Sequence, residues 1–337
     1  MHKYILLIFL CDATFLFAQQ DGYQTHFQFN EISYNPSYAG KEDNKICISS
    51  LFHQQYLGFK SDVITDYENK SVIQPTRIAP QTQYFTISGR WLQHVGIAFQ
   101  FINDEIGPQQ VKLPKLNLAY YFKVKNADLA FGFYAGVMQK SLDGNKLVPL
   151  SMLQPPFIPD PNVPLSMVSE KKFDMGLGIH YKNPALSNLN IGVSATHILN
   201  SDFSFINYKQ QSVSFSSLKT NYYFNMATDI PAGLSKLILQ PNVFMKYASR
   251  LQVDVNILAI YNQSVYGGFS FRQEDNINMM LGFFRGNFKV GYSFDFILNT
   301  LKPGTKTTHE LFIQYCYSIK IKSNYLLNPR HLRDSNN

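Results

Sequence analysis

This chain is poor in most of what builds a disulfide scaffold or a reactive centre. It has three cysteines in 337 residues, and Cys11 lies in the leader-like start. That scarcity excludes a framework of disulfides and a multi-cysteine zinc site. Beyond His2 the histidines are His26, His53, His94, His180, His197, His309 and His331, about one per segment. No spacing suits a metal, and no glycine-rich phosphate loop precedes a helix. Asp174 and His180 share one face of an extended segment, but six residues along a strand separate them by roughly 20 Å. With no nucleophile beside an oriented base, the expectation is no enzyme, no cofactor and no metal. Charge is thin as well. Charged residues make up 16% of the chain, and the net of +7 survives removal of residues 1–18, which hold one Lys and one Asp. The basic residues form no stripe, so no nucleic-acid partner is expected. Beyond residue 18 there is no run of eighteen apolar residues, which excludes a membrane-spanning helix. Helical periodicity of useful length is missing too.

What the chain does have begins with MHKYILLIFLCDATFLFA. Lys3 supplies a positive start, Tyr4 to Leu10 an apolar core, and Ala18 a small residue before Gln19, the pattern of a signal peptide over 1–18. Rings are abundant: 28 Phe and 21 Tyr against a single Trp.

Those rings recur in alternation, the period of a strand with two unlike faces. In FKVGYSFDF, Phe288, Val290, Tyr292, Phe294 and Phe296 point one way, and Lys289, Gly291, Ser293 and Asp295 the other. Such segments fall near 45–56, 82–90, 95–103, 115–124, 128–139, 172–182, 189–199, 220–229, 236–247, 251–260, 265–272, 277–285, 288–296 and 309–319. The connections 57–81, 104–114, 140–171, 200–219 and 297–308 are long; the others are short turns. About fourteen strands of about 8–12 residues suit a transmembrane antiparallel β-barrel in the outer membrane. In lipid a closed barrel leaves no unpaired backbone edge. A soluble sandwich would carry more charge on its polar face than these Gly, Ser and Asn residues provide. The all-β expectation is thus a barrel over 45–319 facing outer-membrane lipid, with N-terminal (19–44) and C-terminal (320–337) segments in the periplasm.

The predicted inward face carries Gly132, Gly136, Gly176, Gly178, Gly192 and Gly291. A fourteen-stranded barrel with such a face has space for water, a folded-in loop, the N-terminal segment or a partner's chain. A passive porin for small solutes is therefore the alternative function. Opposed charge clusters of the kind that line a porin constriction are not evident in the sequence.

The stretch HFQFNEISYNPSYAGK leads into the first strand. It resembles the N-terminal signature of the PorP/SprF family of Bacteroidetes, through Asn35, Pro36, Tyr38, Ala39 and Gly40, preceded by Phe29, Asn30 and Tyr34. QQYLGF (54–59), FINDEIGP (101–108), GTKTTHELFIQYCYSI (304–319) and NPRHL near the end are similar to further family segments in the same order. The resemblance implies an outer-membrane barrel of the type IX secretion and gliding machinery. It would help export or anchor surface adhesins bearing a C-terminal sorting domain, and would contact periplasmic secretion and motility components. It implies no catalysis. The rings of the signature either pack into the barrel mouth or meet a periplasmic partner; a turn that merely starts the barrel is equally compatible.

Two further sites follow from the barrel reading. Alternation places Cys47 and Cys316 on the inward face of the first and last strands, which closure makes neighbours. They are either a seam disulfide or two unconnected thiols. PPFIPDPNVP, with Pro155, Pro156, Phe157, Pro159, Pro161 and Pro164, stiffens the 140–171 loop. That loop is either a docking surface for a secreted partner or a lid over the mouth.

Overall fold

The computed structural model describes residues 21–57, 64–65, 71–73, 79–91, 94–147, 149, 151, 159–233, 236–273, 276–298 and 307–319. The signal peptide (1–18), the tail (320–337) and residues Pro155, Pro156 and Phe157 lie outside the described residues.

Fourteen antiparallel strands form one closed barrel. They are β1 (Lys45–Gln54), β2 (Gln81–Trp91), β3 (Val95–Ile106), β4 (Gln109–Val124), β5 (Ala127–Asp143), β6 (Met167–Asn183) and β7 (Leu189–Thr196). Then follow β8 (Asn221–Ala227), β9 (Leu237–Tyr247), β10 (Leu251–Tyr261), β11 (Val265–Arg272), β12 (Asn276–Arg285), β13 (Phe288–Ile297) and β14 (Thr308–Ser318). Each pairs with its neighbours in sequence, and β14 pairs with β1 to close the seam. The strands occupy the segments that alternation marked, because alternation is what a wall with two unlike environments requires.

The environments are opposite to those of a soluble protein. Ile46, Ile48, Phe85, Ile87, Phe99, Leu118 and Ile313 are exposed on the outside, while Gln100, Asn117, Asn278 and Ser293 are buried inside. Outward apolar side chains gain from hydrocarbon, and inward polar ones find partners in the lumen.

Two connections differ from expectation. Residues 104–114 are not a loop: Asp104 pairs with Val111 and Ile106 with Gln109, so β3 and β4 run on to a tight turn at Gly107. Gly107 has φ +56°, a conformation that glycine adopts without steric cost. Likewise β5 and β6 remain paired out to Asp143 and Met167, which shortens the 140–171 loop. The 200–219 connection holds a small hairpin, Asp202–Ile206 with Ser212–Ser217.

Candidate functional site

The lumen is occupied by the chain's own start. Residues 21–40 run inside the barrel from the long-loop end to the short-turn end. Among the occupants that the sequence left open, the N-terminal segment is the one found here. The segment expected in the periplasm therefore lies, over these residues, within the wall. The physical reason is its composition: the rings and amides of 24–40 are buried almost throughout, and the inward face offers matching space.

That space is a row set by strand register. Gly96, Ala119, Gly132, Gly178 and Ser194 are directly opposed on β3, β4, β5, β6 and β7. The Asn-Pro turn lies across them near the short-turn end. A Cβ on Gly96 would overlap the Ala39 carbonyl, one on Gly132 the Ser37 backbone, and one on Gly178 the Asn35 side chain. Ser194 Oγ donates to Tyr34 O at 2.7 Å. The glycines leave room, as alternation indicated, and the signature fills it.

Each signature residue has a task in this packing. Asn35 Oδ1 accepts from Ser37 N (3.0 Å) and Ser37 Oγ (2.6 Å), capping the short turn Pro36–Tyr38. Its Nδ2 donates to the carbonyls of Ile179 and Val193, both at 3.2 Å. Pro36 sits at the first position of that turn, where its missing N–H costs nothing. Tyr38 stacks on His180 with ring centroids 4.4 Å apart, and its hydroxyl bonds Asn190 (3.0 Å) and Asn225 (2.8 Å). Tyr121 OH donates to Ala39 O at 2.8 Å. Gly40 (φ +68°) turns the chain toward β1, its N–H on Ser88 Oγ and its carbonyl on Arg90 Nε at 2.9 Å. Phe29 packs on Tyr266 and Phe312, Tyr34 on Phe244 and Tyr223, and Asn30 donates to Gln24 Oε1 at 2.7 Å.

The upper half of the plug is held by charge, which the sequence did not reveal. The expected absence of opposed charges is corrected here: the wall buries Lys115, Lys140, Lys246 and Arg272 along with Asp174, Asp254 and Glu310. These groups come one each from seven different strands, so no cluster is visible along the chain. Glu310 receives the backbone N–H groups of Thr25 (2.9 Å) and His26 (2.6 Å), and its carboxylate lies 2.9 Å from His53. Arg272 pairs with Asp254 at 3.0 Å. His197, just past the end of β7, sits between Asp174 and Asp21, 2.9 Å from each. Burial pushes His197 toward its neutral form, but the two carboxylates outweigh it and hold its pKa at about 9. For Asp21 burial acts upward, and His197 and Lys246 outweigh it, keeping the carboxyl well below its ordinary range. Lys246 Nζ also donates to Asp21 O at 2.7 Å. His197 is thus oriented by carboxylates on both nitrogens, with Tyr134 OH on Asp174 at 2.8 Å. The arrangement leaves no ring nitrogen open to a substrate; it ties the plug's start to the wall. Among the described residues there is no metal-ligating cluster.

Over the long-loop mouth, the 202–217 hairpin inserts Phe203 beside Leu113, Met138 and Leu218. The described prolines of the stiff loop meet this hairpin. Pro159 O accepts from Tyr208 OH (2.9 Å) and Pro161 O from Asn207 Nδ2 (3.2 Å), while Pro164 is buried against Gly144. At the seam, Cys47 stands directly opposite Cys316, with Cα atoms 4.0 Å apart and the sulfurs bonded. Both are buried on the inward face.

Comparisons with known proteins give the following. A family described as type IX secretion system membrane protein PorP/SprF matches residues 16–315. Comparison with curated proteins finds no sequence match. Among solved structures, the chain is similar to a FadL homologue of Pseudomonas aeruginosa, at 10% identity and TM-score 0.45, covering 85% of this chain and 93% of that one. It is also similar to the toluene transporter TodX of P. putida, at 10% identity and TM-score 0.48, covering 86% and 93%. Omp33 of Acinetobacter baumannii follows at 7% identity and TM-score 0.42, covering 82% and 100%.

Proposed function

The chain belongs to the PorP/SprF family of type IX secretion system membrane proteins, and we propose from that premise that it serves the machinery as a plugged scaffold. It is an outer-membrane β-barrel. In our reading it helps export or anchor surface adhesins bearing a C-terminal sorting domain, and docks periplasmic secretion and motility components. The observation that supports a scaffold over a passive porin is the plug: residues 21–40 cross the lumen and are bonded to the wall at both ends. A pore for solutes needs a continuous water path, and this segment stands in it. Purified full-length protein in planar bilayers is expected to show no steady conductance; a steady open pore would return the porin reading.

In this reading the long loops face outside and the short turns face the periplasm, as loop lengths favour in such barrels. The 140–171 loop is then the docking surface for the secreted partner, its prolines limiting the entropy lost on binding. Cysteines placed in 144–166 should react with an impermeant reagent on whole cells. Labelling in 183–188 instead would invert the topology. Deleting 153–165 should abolish surface retention of the adhesin while the barrel still folds.

A further inference from the structure

The lipid-facing wall of β4 to β6 has a sharp upper edge. Over 114–124 the outward side chains are apolar throughout, and over 173–183 they run from Phe173 through Leu177 and Ile179. Each stretch makes one crossing of the length a tilted strand needs, about 9–11 residues. At its long-loop edge Phe101 opposes Pro114, and Val137 opposes Phe173. Phe173 is 76% exposed, more than any other large apolar side chain among the described residues. One step farther out, Asn103, Lys112, Gln139 and Lys171 are directly opposed in register on β3, β4, β5 and β6. Leu113, Met138 and Asp174 are buried in the lumen, so alternation turns this row outward. Among the described residues neither Lys112 nor Lys171 has a carboxylate within ion-pair distance, whereas Lys172 holds Glu170 and Lys123 holds Asp128, both at 2.6 Å. Glu105, the next outward position on β3, is engaged by the amide of Gln110 at 2.7 Å.

The membrane itself selects what meets this row. The lysines stand two interstrand spacings apart, about 10 Å, with the Gln139 amide between them. Their stems leave the apolar wall where hydrocarbon gives way to headgroups, and their ammonium groups reach into that layer. The neighbour at that depth is lipid, and the anionic part of a membrane lipid is its phosphate. Lysine binds phosphate as a point charge, and basic residues at an anionic lipid surface are drawn to it. The ring of Phe173, just beneath, suits the boundary between headgroup and acyl chain. We infer that the outer face of β4 to β6 binds the phosphorylated headgroup of an outer-leaflet glycolipid. Lys112 and Lys171 hold the phosphate, Gln139 donates to the headgroup, and Phe173 lies against the first acyl carbons. This site is outside the lumen and goes beyond the reading above, from which it takes only the leaflet.

The test uses the full chain in phosphatidylcholine nanodiscs doped with monophosphoryl lipid A, with dephosphorylated lipid A or with phosphatidylglycerol. Native mass spectrometry of the released barrel counts the lipid that stays bound. One monophosphoryl lipid A per barrel is expected, retained about tenfold or more over the other two. Lys112→Gln with Lys171→Gln should lower that retention about tenfold, since each basic residue at an anionic surface contributes a several-fold share. Lys209→Gln, on the lid hairpin, should leave it unchanged. Four results overturn the inference: retention indifferent to the lysine pair, equal retention of the dephosphorylated lipid, equal retention of phosphatidylglycerol, or displacement by inorganic phosphate, which would mark a site for the free anion. Should the double variant not fold, either single substitution still decides. Nanodiscs expose both faces, so inverted topology would appear in whole-cell labelling and not in this assay, and the two failures are separable.

Discussion

The two mouths of this barrel are closed by different physics. At the short-turn end the closure is mainly shape: backbone of the Asn-Pro turn lies on glycines, with one ring stack and hydrogen bonds that are uncharged except at Arg90 and the Lys41–Glu31 pair. At the long-loop end it is charge and a lid: Asp21 locked by His197 and Lys246 beneath the 202–217 hairpin. Shape complementarity of this kind does not titrate and yields abruptly when a methylene is added. Charge in a buried network titrates and yields with pH. The molecule therefore has one mouth sensitive to sterics and one sensitive to protons.

The largest effect should come from filling the small-residue row. Gly132→Val places side-chain atoms where the Ser37 backbone runs, a worse conflict than ordinary overpacking at about 1–3 kcal/mol. The plug is expected to leave its seat and a steady conductance to appear. Gly267→Ala, whose added carbon would find its nearest neighbour at 3.8 Å, should remain silent in the same recording. If both stay silent, the plug does not depend on the row.

Next is the seam. Cys47 and Cys316 lie near the short-turn ends of β1 and β14, 269 residues apart in sequence. Replacing the pair by Ser should lower stability by about 2–5 kcal/mol, read as earlier loss of the folded, fast-migrating band on heating. Mass analysis of non-reduced protein should show two fewer hydrogens than the reduced form. Two free thiols in exported material would remove the disulfide from the account.

The proton-sensitive mouth should respond at alkaline pH. The folded pKa of His197 is raised to about 9, so its contribution is fully present below the ordinary histidine value near 6.5 and is lost as pH rises through 9. That upward shift corresponds to about 3 kcal/mol at its maximum. Asp21 has the opposite sign: its folded pKa is depressed, so its contribution is present above the ordinary carboxylate range and fades only as strong acid reaches the folded pKa. Relative to the intrinsic base-catalysed exchange rate, protection of residues 21–25 should therefore fall between pH 7 and 10, with that of residues 35–40 little changed. His197→Ala should flatten that alkaline response. Equal change at both mouths would erase the distinction between them.

The effect with the narrowest reach belongs to the lid. Phe203→Ala empties a fully buried ring position, at about 3–5 kcal/mol locally. Exchange should rise in 202–217 while conductance stays closed, since the plug is held elsewhere. A pore opened by this change would make the hairpin the gate.

By itself the sequence determined the wall. Period-2 alternation in segments such as 288–296 set strand number, order and the lipid-facing side, because a sheet between hydrocarbon and a polar lumen permits no other local pattern. The inward placement of Cys47 and Cys316 followed from the same parity. Only the tertiary structure decided what fills the wall. Gly96, Ala119, Gly132, Gly178 and Ser194 become a single row through register, which sequence spacing does not display. Asp174 meets His197 and Tyr134, not the His180 on its own strand, because the lumen brings together groups from across the chain. The rings of the Asn-Pro signature suit a lumen or a partner equally well by composition. The shape of the inner surface, a sum of pairings among distant strands, is what selected the lumen.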